Sequence, residues 1–467
     1  MKPRALFLLM MLLLLPLYAA ARPGGGQSYR SAPSRSSSSS SSSHSYTPSH
    51  SSTSYSSSSS SGGSGGTSAG GLVVLLIVAG VVVLIVVLAK RGGRNRANVE
   101  VDRGTTDEGL AALRNQDPAF DGAAFAQRAQ GVMAKVNEAW VAGNMGPARR
   151  LISDGVYVRF QAQLTLLKSQ GLRNAMADWS VVSCELLAAE ADAKWDSVHV
   201  KMVGQARDKD VPATLNALEA AAEAKRAPLV RYEEVWSFLR KRGSKSKNGQ
   251  PVLEGRCPSC GADLPVSDVV RCEFCKAVVN SGEHDWVLAE ITQPEEWRPW
   301  MTNAEISGLP ELQAKDPAVS RQELEDRASV VFWKWIDARV TGQRTRFERF
   351  CLQPGQPPAD KQALSQVAVG SAELVDVTLG QEGPGTTIDR CQIEVTWSAS
   401  FDGGEPQNQV NHVVLARAST ATSKGGLNSL DCPNCRGPLA DSDLAKCNFC
   451  GEPLAGGKHE WSLEAVI

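Results

Sequence analysis

Leu229-Val-Arg-Tyr-Glu-Glu-Val-Trp236-Ser-Phe238, then Cys257-Pro-Ser-Cys260 and Cys272-Glu-Phe-Cys275, then Trp286-Val-Leu-Ala-Glu-Ile291: a strand-like run, two CxxC pairs and a second strand-like run follow in this order. With residues 261–271 between the pairs, four thiolates can close a tetrahedron around zinc, as in a zinc ribbon. Its place between two β-rich runs predicts that the ribbon replaces a hairpin turn and projects from the end of a sheet. A knuckle this small buries too little apolar surface to fold alone, so the metal supplies the missing free energy.

The pattern occurs twice. Cys432-Pro-Asn-Cys435 and Cys447-Asn-Phe-Cys450 repeat it, and Ser267, Asp268, Phe274, His284, Trp286 and Leu288 recur 175 positions later as Ser442, Asp443, Phe449, His459, Trp461 and Leu463. Further upstream Arg128, Ala129, Lys135, Ala139, Val141, Gly143 and Arg150 recur 199 positions later as Arg327, Ala328, Lys334, Ala338, Val340, Gly342 and Arg349. The fall in offset makes the second copy shorter between helix and ribbon, and the excess in the first includes the helix-prone segment Asp208 to Pro228.

Within the first copy Phe125, Ala129, Val132, Val136 and Trp140 share one helical face, and Gly143 stops the helix. Leu151 to Gly171 predicts more helix. Trp179 to Leu187, Ser197 to Gln205 and Leu229 to Leu239 predict strands, with Asp285 to Ile291 returning after the ribbon. The second copy repeats this with Gln409 to Arg417, its ribbon, and Trp461 to Ile467. Helices first and antiparallel strands afterward describe an α+β domain.

Outside the repeats the composition changes. Met1 to Ala21 has basic Lys2 and Arg4, an apolar run and small residues at 19–21, the signature of a signal peptide. Residues 22–71, rich in Ser and Gly with an unbroken run from Ser36 to Ser43, have little to bury and predict a disordered tether. Leu72 to Ala89 is apolar or glycine throughout, long enough for a transmembrane helix, and Lys90, Arg91, Arg94 and Arg96 follow it. Positive charge on that side places it in the cytoplasm, with the Ser-rich segment outside a bacterial inner (plasma) membrane. The remaining divisions are a basic then polar linker 90–118, a first domain 119–292 with ribbon 257–275, a linker 293–315 and a second domain 316–467 with ribbon 432–450.

Eight cysteines arranged as metal-held thiolates suit a reducing compartment, where disulfides are rare. Cys184, Cys351 and Cys391 stand in apolar contexts and read as core. No acidic residue precedes Glu100, while nine of the 49 basic residues do, so residues 97–467 carry 40 basic and 50 acidic side chains. That balance speaks against nucleic acid as a partner. Six histidines do not make a catalytic constellation: His199 and His412 stand singly in strands, and His284 and His459 follow complete four-cysteine sets, which suggests a strand-start or supporting role. CxxC pairs that satisfy a metal completely leave no open coordination position, so structural zinc, two ions, is expected and catalysis is not.

Glu138-Ala-Trp-x-x-Gly143, Arg173-Asn174, the strand Leu229 to Phe238 and the strand Trp286 to Ile291 together resemble the domain of import subunit forty-four of the mitochondrial inner membrane and its bacterial relatives. The likeness covers about residues 119–292, and the second copy only through the repeat, since it reads Asp337-Ala-Arg339 in place of Glu-Ala-Trp. The resemblance implies two cone-shaped domains similar to nuclear transport factor two, with long helices on a curved antiparallel sheet. It also implies adaptor work at a membrane, with a protein partner. A signal peptide, an own span, two copies and two ribbons depart from the family, which speaks against the import-motor role and leaves the membrane-adaptor reading intact. A cone can hold an apolar pocket, and Trp140, Tyr157, Phe160, Trp179 and Trp236 are the residues to line one or to fill the core. The alternative to an adaptor is therefore a protein that binds or senses a small molecule.

Overall fold

The computed structural model describes residues 103–467 except 248, 250, 266–268, 299–305, 354–360, 384, 425, 428 and 440–443. The signal peptide, tether and span expected at 1–89 lie outside the described residues, as do residues 90–102. Among the described residues no helix is long and apolar enough to cross a membrane.

Two antiparallel four-stranded sheets form the frame. The first runs β1 (Leu172–Ala191), β2 (Trp195–Pro212), β3 (Leu229–Lys241) and β4 (Val287–Thr292), neighbours in that order. The second repeats the order with β5 (Leu364–Gly383), β6 (Thr386–Phe401), β7 (Gln407–Ala418) and β8 (Ser462–Val466). In each, a ribbon stands between the last two strands, which pair antiparallel on either side of it. The strands are longer than the alternation alone indicates because β-bulges interrupt the period and the ladder continues past them.

The helices start earlier than the sequence reading puts them. Helix α1 (Arg103–Gln116) falls inside the stretch expected as linker 90–118, with Leu110 and Leu113 buried. After α2 (Gly122–Val141), α3 (Asp154–Ser169) and the short α4 (Ala217–Lys225), the second copy opens the same way with α5 (Leu309–Lys315) inside the expected linker 293–315, where Leu309 and Leu312 are buried. Two buried leucines per helix make too weak a stripe to stand out in sequence. Helix α6 (Arg321–Thr341) is the counterpart of α2. Both are capped as their sequences dictate: Asp121 accepts from Ala124 N–H, Ser320 accepts from Glu323 N–H, and Gly342, at φ 74°, closes α6 in the left-handed region.

Helix α3 serves both copies. Ser153 caps it by accepting from Val156 N–H. Val156, Phe160 and Leu167 lie in the first core with Trp140, Val200 and Phe238. Val158, Ala162 and Leu166 lie in the second, among Ala328, Trp333 and Val369. Polar groups reinforce the crossing, for Gly155 N–H donates to Asp326 Oδ1 at 2.9 Å, Arg159 donates to Ile291 O of β4 at 2.8 Å, and Gln163 donates to Val367 O of β5 at 3.2 Å. In the second copy the chain is already strand by Leu364, in the stretch that corresponds to α3.

Candidate metal centres

Each CxxC is a tight knuckle. Gly261 N–H donates to Cys257 O and Lys276 N–H to Cys272 O; in the second ribbon Arg436 N–H donates to Cys432 O and Gly451 N–H to Cys447 O. All four turns end on a left-handed residue, Gly261 (φ 79°), Lys276 (62°), Arg436 (59°) and Gly451 (73°). The knuckles aim backbone donors at sulfur: Gly437 N–H approaches Cys435 Sγ at 3.4 Å and Phe449 N–H approaches Cys447 Sγ at 3.3 Å. Such donors favour thiolate over thiol. In the first ribbon the Ala277 N–H is the main influence on Cys275, pulling its pKa down to about 6.

The sulfur atoms converge. The four Sγ of Cys257, Cys260, Cys272 and Cys275 lie within 4.8 Å of one another, and so do those of Cys432, Cys435, Cys447 and Cys450. Individual edges measure 3.7 Å (Cys257 to Cys275), 3.8 Å (Cys260 to Cys272), 3.8 Å (Cys432 to Cys450) and 3.7 Å (Cys435 to Cys447). Sulfurs about 2.3 Å from a tetrahedral ion stand about 3.8 Å apart. These edges fit a four-thiolate metal site and far exceed the ~2.05 Å of a disulfide. His284 and His459 join neither cluster; His459 Nε2 instead lies 3.1 Å from Glu452 Oε1 at the edge of its ribbon.

The ribbons are braced at their bases and against each other. Arg271 of the first donates to Asp431 Oδ2 at 2.8 Å and to Arg436 O at 2.9 Å in the second, while Arg150 holds Val269 O at 2.8 Å. Each also presents an aromatic side chain from its second knuckle: Phe274 is 73% exposed and Phe449 66%. Phe449 lies over Gly437, where a Cβ would come within 2.6 Å of the ring.

Below each ribbon lies a duplicated ion lock. Arg240, at the end of β3, reaches Asp117 at 2.9 Å and Asp196 at 3.5 Å, with Trp286 under its guanidinium at 4.4 Å. Arg417, at the end of β7, reaches Asp316 at 2.7 Å over Trp461 at 4.5 Å. Ser246 and Ser423 donate to the same aspartates. Burial pushes the Asp117 and Asp316 carboxyls up, but the serine and arginine hydrogen bonds outweigh it and hold both below the usual range. This constellation escaped the motif reading. Its signal is Asp117-Pro-Ala119, recurring 199 positions later as Asp316-Pro-Ala318, the same offset as the helices.

The five aromatics read as lining a pocket or filling the core stand in the core or against it. Trp140, Phe160 and Trp236 are buried in the first cluster, with Tyr157 and Trp179 packed on its margin. Trp140 Nε1 donates to Asn174 Oδ1 and Trp236 Nε1 to Glu234 Oε2, so both indoles are satisfied inside the protein. Cys351 and Cys391 are buried and Cys184 half-buried, and burial pushes the Cys184 and Cys351 thiols up to about 12. His199 hydrogen-bonds Ser237 at 2.8 Å, and burial lowers its pKa to about 4.

Comparison with known proteins finds one family-model match and one weakly similar solved structure. No curated protein matches the sequence. A solved structure, an NTF2-like protein involved in plasmid conjugation, is 10% identical over 56% of this chain and 81% of its own, with a TM-score of 0.15. The family model of the Tim44-like domain matches residues 106–250, from α1 through β3 to the approach of the first ribbon. Residues 106–250 of this chain are thus similar to the Tim44-like domain.

Proposed function

We propose that the chain is a membrane-anchored, non-catalytic adaptor, a binding platform for transport or assembly of a membrane complex, with a structural zinc ion in each ribbon. The observation that carries this reading is the pair of aromatic tips, Phe274 and Phe449, held at equivalent knuckle positions by closed metal sites and left exposed. Exposing a large apolar ring twice in a duplicated unit costs solubility and is accounted for by contact with a partner. All four ligands of each site are cysteines, which leaves a tetrahedral ion no position for substrate or water. Zinc is the choice among tetrahedral thiolate-bound metals because it adds no redox chemistry.

The apolar run 72–89 anchors this platform in the bacterial inner membrane, with the ribbons on the cytoplasmic side. The Tim44-like domain supports membrane-proximal adaptor work, in line with what its family resemblance implies. A photo-crosslinking residue placed at 274 or 449 in the full-length protein in cells tests the reading. Discrete protein adducts from both positions, absent from a control position on β1, are the expected result. Adducts with lipid alone, or none, would sink it.

A further inference from the structure

The two ribbons meet knuckle to knuckle through one guanidinium. Arg271 immediately precedes Cys272, and its Nη1 donates to Lys276 O of the Cys272–Cys275 knuckle at 3.1 Å. Its Nη2 donates across the boundary to Asp431 Oδ2 at 2.8 Å and to Arg436 O at 2.9 Å, which puts it on the Cys432–Cys435 knuckle as well. The two carbonyls it holds belong to the residues that close those turns, since Lys276 N–H donates to Cys272 O and Arg436 N–H to Cys432 O. A guanidinium bonded to a carboxylate makes the strong kind of hydrogen bond. Position 271 stays basic in the repeat as Lys446, whereas Asp431 replaces Arg256, so an acid stands in the second ribbon where the arginine of the first arrives.

The bases of the ribbons are joined too. Asp154, the first residue of α3 and 2% exposed, accepts from Asn280 Nδ2 at 3.3 Å, just past the first ribbon, and from Leu430 N–H at 2.7 Å, just before the second. Leu427 N–H donates to Ser281 O at 3.4 Å, and the Leu427 side chain is buried among Trp195, Leu239 and Val287 of the first sheet. The leg leading into the second ribbon is therefore built on the first copy, while Arg327 of α6 holds Ser429 O at 3.1 Å from its own side.

The sulfurs are seated differently in the two ribbons. Cys257 and Cys272 belong to the first core with Leu264, Val279 and Trp286, whereas Cys432 and Cys447 form a separate small cluster with Leu454. A ribbon seated in a domain core needs less of the metal-binding free energy to order its own chain, so the first site should hold metal more tightly. We propose that the second metal site is assembled on the first: metal in the first ribbon fixes the Cys272–Cys275 knuckle and Arg271 with it, and the second site gains affinity from that contact. The coupling rests on the reading of both ribbons as structural zinc sites. Coupling between two binding sites is reciprocal and typically about 5- to 150-fold.

The test loads the full chain with zinc, in detergent under reducing conditions, and reads the zinc retained against a graded series of chelator concentrations. Wild type should hold two zinc ions of unequal affinity. Cys260→Ser, Cys275→Ser removes the exposed ligands of the first ribbon and spares its core cysteines; it should leave one zinc, held at least about fivefold more weakly than the weaker site of wild type. Cys435→Ser, Cys450→Ser should also leave one, held more tightly than in the first variant. Arg271→Ala should still bind two zinc and weaken the second site, yet change nothing in the Cys260→Ser, Cys275→Ser background, where the metal that positions the arginine is gone. An arginine that only propped up the second ribbon would act equally in both backgrounds. Fewer than two zinc in wild type would overturn the metal reading and the proposal together. Two zinc bound with a second site indifferent to loss of the first, a second site that outlasts the first, or an equal effect of Arg271→Ala in both backgrounds would overturn the coupling alone.

Discussion

At the scale of single residues, the deeply buried ion locks and one glycine carry much of the specificity. Asp117 and Asp316 have carboxyl pKa values held below the unfolded value near ~3.9. Groups depressed in the folded state contribute stability that is present above that value and lost as pH falls through the folded one. Thermal unfolding between pH 5 and pH 2.5 should therefore show a steep acid loss, and the Asp117→Asn, Asp316→Asn variant a shallower one from a lower starting Tm. An unchanged pH slope would remove the locks from the account. Gly155 makes a second case, because a Cβ there would stand 2.5 Å from Asp326 Oδ1, inside contact distance. Gly155→Ala should cost about 1–3 kcal/mol by denaturant titration, whereas Gly143→Ala, where the surrounding space is open, tests backbone strain alone.

At the scale of elements, α3 ties the repeats together. Leu166→Ala removes a side chain that the second core takes from the first copy and should cost about 2–5 kcal/mol. Residues 306–467 produced alone lack α3, leave Ala328, Trp333 and Val369 without their cover, and should bind 8-anilinonaphthalene-1-sulfonate and unfold without a sharp transition. Restoring 103–298 on the same chain should recover cooperativity; a well-packed isolated second copy would contradict the shared-helix account. Sequence made the four-cysteine clusters legible, because CxxC spacing constrains chemistry directly, and it indicated the pairing of β3 with β4 through the insertion between them. It did not give α3's double duty. Val158, Ala162 and Leu166 alternate with Val156, Phe160 and Leu167 around the whole helix, and apolar residues on several faces say that a helix is buried without saying by what. Nor did it place Asp154, Asn280 and Leu430 together, since they come from three segments in two copies. The helices α1 and α5 and the paired Asp-Pro-Ala segments were visible only through the repeat offset.

At the scale of the whole molecule, two metal sites, two aromatic tips and one membrane run act together in the proposed adaptor. The full chain, purified under reducing conditions, should contain two zinc ions by elemental analysis, and a strong chelator should lower its Tm as the ribbons open. Less than about two per folded chain, or iron in their place, would contradict structural zinc. Single-cysteine accessibility in intact cells, in a background whose native cysteines outside the ribbons are replaced, should label position 58 from outside and position 245 only after permeabilisation; the reverse would invert the proposed topology. The most direct measurement compares wild type with Phe274→Ala, Phe449→Ala after gentle solubilisation of native membranes. Wild type should migrate in a complex larger than itself, while the variant, with unchanged zinc content and Tm, should migrate alone. A variant that stays in the same complex would show that the ribbon tips are not where this protein meets its partner.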